Sequence, residues 1–98
     1  FFIAKEFEMS KIIVEKPSAE QLASLGVKGW PTWSKEVSQF PWRFSTQEIA
    51  YILEGEVTVQ PSEGEPVSFT VGDLVTFPAG LSCVWHVKKP LKKHYQLG

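Results

Sequence analysis

Ninety-eight residues at a formal net charge of −1 offer no electrostatic reason for nucleic acid or an anionic membrane to be a partner. No apolar run approaches the ~20 residues a membrane span needs, and a single cysteine cannot form an internal disulfide, so nothing points to secretion. The expected setting is therefore the cytoplasm or an organelle interior. Such a length supports one domain, and four tryptophans with seven phenylalanines mean that large rings must fill its interior or line a pocket.

In chain order, the opening FFIAKEFEM reads as an added strand or as a remnant of cloning or processing, ahead of a core expected over 12–97 of a single domain spanning 1–98. KIIVEK (11–16) is short and β-branched, and Pro17 stops it. SAEQLASLG follows, with Ser18 as N-cap, Gln21 three residues on as its capping partner and Gly26 as the stop. This predicts one short helix. From Trp30 onward the chain is a series of short β-rich runs: WPTWSKEV, WRFS, QEIAYILEG, EVTVQP, PVSFTVG, LVTFPAG, SCVWHV and KKHYQL. Glycine, proline or Glu-Gly turns punctuate them at close spacing, the pattern of an all-β sandwich or barrel. Gly55 is expected between two strands with positive φ, and Pro61–Pro66 as a polar hairpin loop. The basic run KKPLKK (88–93) is read as a solvated edge or turn. Trp30 and Trp33, beside Pro31, are read as staples over a barrel face.

Two spacings carry a family likeness. In GDLVTFPAG (72–80), Gly72, Pro78 and Gly80 fall where the second cupin motif has glycine, proline and glycine. Upstream, Glu48 precedes Gly55 as the glutamate of the first cupin motif precedes its turn. The chain from about Ile12 to Leu97 resembles the small single-domain cupins grouped with the ureidoglycine aminohydrolase cupin domain. That resemblance implies a double-stranded β-helix, a jelly-roll-like barrel of two antiparallel sheets open at one end. It also implies a metal held by an H-x-H pair, a glutamate and a further histidine. Here Trp42 and Phe44 stand at the paired positions and Cys83 at the last, so of the usual four ligands only Glu48 is present.

Alternation along a strand predicts which side chains share the interior with Glu48. Ala50 and Ile52 have its parity. Trp85 and Val87 share the face of Cys83, with His86 opposite, and Trp42 and Phe44 share a face. On the last strand Tyr95 and Leu97 are expected to point in and His94 out. The candidate site is thus a carboxylate, Glu48, with Trp42, Phe44, Cys83 and Trp85 as walls and Tyr95 as a further contact. Glu48 is the one acid/base candidate for catalysis. A buried carboxylate must be protonated or hydrogen-bonded, and Tyr95 or a backbone N–H is the expected partner. Cys83, near a carboxylate and aromatic rings, reads as an inert buried thiol.

Glu48 and Cys83 are the two donors for a metal, should one bind. Without a third they hold a divalent ion only weakly, so no cofactor is expected. The function expected from these residues is binding of a small polar metabolite in the barrel mouth. Two alternatives are a metal-dependent enzyme resembling ureidoglycine aminohydrolase and a non-catalytic protein-interaction module. Ile49, Tyr51 and Leu53 make the outer face of the Glu48 strand apolar as well, so other chain or a second subunit must cover it. A homodimer is the expected assembly.

Overall fold

In a computed structural model, which describes residues 11–98, the strand signals become an all-β architecture with one short α-helix. The opening FFIAKEFEM lies outside the described residues. Helix α1 (Ala19–Leu25) begins where Ser18 Oγ accepts a hydrogen bond from the Gln21 backbone N–H at 3.1 Å, and it ends at Gly26, which takes φ 68°. A 3₁₀ turn, Val27–Gly29, follows. The strands are β1 (Ile13–Glu15), β2 (Thr32–Lys35), β3 (Ser38–Arg43), β4 (Glu48–Pro61), β5 (Val67–Thr70), β6 (Leu74–Phe77) and β7 (Ser82–Leu97). All pairings are antiparallel, in the order β1-β6-β4-β7-β2, with β3 also on β7 and β5 also on β4. No helix among the described residues is long and apolar enough to cross a membrane.

The long pair β4–β7 is the spine, running from Glu48 opposite Leu97 to Pro61 opposite Cys83. Its inward side chains include Ile52, Val57 and Val59 from β4 and Trp85, Val87 and Leu91 from β7. They pack with Phe44, Phe69, Val75 and Phe77 into one buried core. Burial of these apolar side chains is the main stabilising term, at about 1.5–3 kcal/mol for each large one.

The structure corrects two expectations. Gly55 does not separate two strands; it sits at an irregularity inside continuous β4, where the register against β7 slips between Ile52 and Val57. KKPLKK is not a turn either but the middle of β7. The irregularity at Gly55 has its cause on the facing strand. Pro90 has no N–H to give the ladder, and β4 bulges opposite it. The bulge switches the buried parity of β4 from even (Glu48, Ala50, Ile52) to odd (Val57, Val59, Pro61). Gly55 adopts φ 107°, and a Cβ there would lie 2.6 Å from the Pro90 carbonyl oxygen and 2.8 Å from Leu91 Cα. No other residue type fits so close an approach.

The outer face of β4 is partly covered by its own chain. Leu22, Ala23 and Val27, from α1 and the 3₁₀ turn, line a cleft against Tyr51, Leu53 and His94. The ring of His94 points to this outer side, where Nδ1 lies 3.0 Å from the Trp30 carbonyl oxygen.

Replacing Gly55 by alanine combines left-handed strain with backbone overlap and should cost about 2–5 kcal/mol. Gly80→Ala, with φ 84° but open space around it, should cost only about 1–2 kcal/mol. Urea denaturation of the two variants checks this; equal losses would contradict the close-approach account.

Candidate functional site

At one end of the barrel the inward side chains enclose a cavity of about 230 Å³. Strands β4 and β7 bring Glu48 and Lys93 to it. Lys93 Nζ donates to Glu48 Oε2 at 2.5 Å, and both side chains are buried, at 7% and 8% exposure. The ammonium also stands 5.0 Å from the ring centroids of Trp33 and Trp85 and 5.8 Å from that of Tyr95. Electron-rich ring faces attract a cation in this way, more strongly when it is desolvated. Phe40, Trp42 and Leu97 complete the lining, and half-exposed Trp42 and Leu97 form the rim.

Burial pushes the Lys93 ammonium down from its ordinary value, against the opposing pull of the Glu48 charge and hydrogen bond. No other hydrogen bond reaches the Glu48 carboxylate among the described residues, so its remaining lone pairs are open to the cavity.

Four of the six expected site residues line this cavity: Trp42, Glu48, Trp85 and Tyr95. Phe44 and Cys83 do not; both belong to the core. Strand β3 ends at Arg43, and Phe44 turns inward to stack on Phe77 with ring centroids 4.6 Å apart. Cys83 Sγ donates to the Trp42 carbonyl oxygen at 3.5 Å. Burial pushes its thiol up from its ordinary value. Among the described residues the Trp85 indole N–H is buried without a hydrogen-bond partner.

The expected partner of Glu48 was Tyr95 or a backbone N–H; it is Lys93 instead. Lys93 lies in a run whose composition reads as solvated, yet it shares parity with Tyr95 and Leu97, for which alternation predicts an inward face. Extending that alternation two residues back would have found it. Trp33, read as a staple, lines the cavity because β2 pairs with β7, setting Thr32 opposite His94 and Trp33 opposite Lys93. That pairing is non-local, and no spacing in the sequence announces it.

The donor set does not fit a metal. Among the described residues no three His, Cys, Asp or Glu side chains converge. The one carboxylate in the cavity already faces an ammonium, whose charge repels a second cation. The thiol is turned into the core.

Over residues 22–95 the sequence matches the EutQ-like cupin domain, and the chain belongs to that family. Among solved structures, a DUF861-family protein from Thermotoga maritima is 49% identical; the match covers 90% of this chain and 100% of that one, at a TM-score of 0.88. A putative ethanolamine utilization protein Q from Salmonella typhimurium is 23% identical over 93% of this chain and 74% of that one, at 0.58. Acireductone dioxygenase from Bacillus anthracis, with a cadmium ion in its active center, is 13% identical over 98% and 82%, at 0.59. These last two likenesses establish the fold alone. No curated protein matches the sequence. The chain is a cupin, as its motifs implied.

Removing one member of the buried pair strands the other. Lys93→Met should cost about 3–5 kcal/mol. Glu48→Gln leaves an amine that can shed its proton and should cost less, about 1–3 kcal/mol. The double variant should recover at least half of the summed loss. Denaturant unfolding of all four proteins tests the pair; losses below about 0.5 kcal/mol for each single change would mean a solvent-exposed contact instead.

Proposed function

We propose that this cupin binds a small polar metabolite in the mouth of its barrel, anchored by Glu48 and Lys93 and held between aromatic walls. One observation carries the reading: a charged pair is buried at the edge of a cavity that it does not fill. Burying two charges costs several kcal/mol per ion before their attraction repays it, and apolar residues of similar volume would often serve stability as well. Polar anchors in an otherwise aromatic cavity are the usual composition of a small-molecule site. Glu48 offers free acceptor positions and Lys93 further protons, so the preferred ligand carries both a donor and an acceptor. A cavity of about 230 Å³ compares with the roughly 150 Å³ that accommodates benzene. The ligand is therefore about one ring in size, with few substituents. If a reaction occurs, Glu48 is the proton acceptor within reach of Lys93.

The resemblance to the ureidoglycine aminohydrolase group supports a ureide or similar nitrogen-rich ligand, whose N–H groups suit a carboxylate. A metal-dependent reaction on such a compound is the second reading, and its only support is the position of Glu48. An interaction module working through the outer face of β4 has less apolar surface to offer than expected, because α1 and the 3₁₀ turn lie over Tyr51 and Leu53. A homodimer belongs to the same proposal, and light scattering that returns only monomer would remove it.

A screen of small polar compounds by two-dimensional NMR tests the reading. Binders should shift the indole signals of Trp33 and Trp85 together, and Glu48→Gln should weaken them by about tenfold or more, as loss of a hydrogen bond to a charged group predicts. Binders that instead perturb Tyr51 and α1, or that ignore the substitution, would count against it.

A further inference from the structure

We propose that Lys93 is an amine nucleophile that captures a small aldehyde or ketone in this cavity as an iminium, with Glu48 moving the protons. The inference rests on the reading that the cavity receives a small ligand, and it names the class. Three observations converge on Lys93. Lys93 lines the cavity, so a guest there meets its side chain. A carboxylate oxygen lies 2.5 Å from it, within proton-transfer distance. Two indole rings, of Trp33 and Trp85, stand 5.0 Å from it, placed to stabilise a planar cation in the position the ammonium now holds.

The chemistry balances without any further reagent. The ammonium passes one proton to Glu48, and the freed amine pair adds to the carbonyl carbon while the C–O π pair moves to oxygen. A proton shifts from nitrogen to that oxygen, giving a neutral carbinolamine. Glu48 then returns its proton to the hydroxyl, which leaves as water as the nitrogen pair closes the C=N bond. Ammonium and carbonyl have become iminium and water; the charge is unchanged and Glu48 is again a carboxylate. Burial, which holds the ammonium below its ordinary range, favours the first step, because desolvated lysines are the ones that serve as nucleophiles. The product keeps a positive charge beside the carboxylate, so the ion pair survives the reaction.

The same strand supplies internal controls. Lys88, Lys89 and Lys92 are exposed and lie within five residues of Lys93 in sequence. Intact protein is incubated at neutral pH with benzaldehyde and sodium cyanoborohydride, which reduces an iminium to a stable benzylamine. The peptide spanning 86–95 carries all four lysines, and tandem mass spectrometry compares their labelling directly. Lys93 is expected to be labelled about tenfold faster than the other three, or more. Glu48→Gln should slow labelling at Lys93 and leave the others unchanged. Lys93 labelled no faster than its neighbours overturns the proposal. Benzyl alcohol, which fits the same space but has no carbonyl, separates the two claims. If it shifts the Trp85 and Tyr95 signals while benzaldehyde leaves Lys93 unlabelled, iminium capture fails and the binding site stands. If benzyl alcohol causes no shift and Lys93 stays unlabelled, both fail.

Discussion

The ion pair between Glu48 and Lys93 is the constraint around which the open end of this barrel is arranged. Neither charge could remain buried without the other. Each therefore fixes the register of its strand, since a one-residue slip would turn it outward. The pair explains why β7 continues inward through Lys93, Tyr95 and Leu97 after its basic, exposed middle. It also explains why three rings face a single nitrogen. The rings shelter the ammonium from water, and that shelter gives it properties a surface lysine lacks.

Below the pair the barrel is closed by aromatic packing. Phe44 stacks on Phe77, and Trp85 lies 5.4 Å from Phe77 and 5.8 Å from Phe69 between ring centroids. Trp85 belongs to both layers: it packs into this plug, lies 6.0 Å from Phe40, and presents its ring to Lys93. Such interdigitated rings leave little freedom for the wall to move. A site on long paired strands is held more rigidly than one on loops, and β4 and β7 supply both of its charges.

Much of this architecture is legible in the sequence. Ser18, Gln21 and Gly26 mark the helix because each satisfies a local requirement of its ends. Glu48, Trp85 and Tyr95 follow from motif spacing and strand alternation, which are also local. The misreadings have two physical sources. Composition misled at Lys93, where a run of lysines reads as solvated although alternate members face opposite sides of the sheet. Topology hid Trp33 and Phe44, because the β2–β7 pairing and the inward turn after Arg43 depend on chain far away in sequence. The bulge at Gly55 had a visible half, the glycine. Its cause, Pro90, lies on another strand, and only the fold brings the two together.

The protonation of Lys93 tests the central claim most directly. An NMR titration of the lysine side chains, with the Lys93 signal assigned by its loss in Lys93→Met, reads it out. If the ammonium is buried among rings against Glu48, its midpoint falls below the ordinary lysine value of 10.5. A midpoint at or above that value would mean that Lys93 reaches water, and the account of a buried charged anchor in the cavity would be wrong.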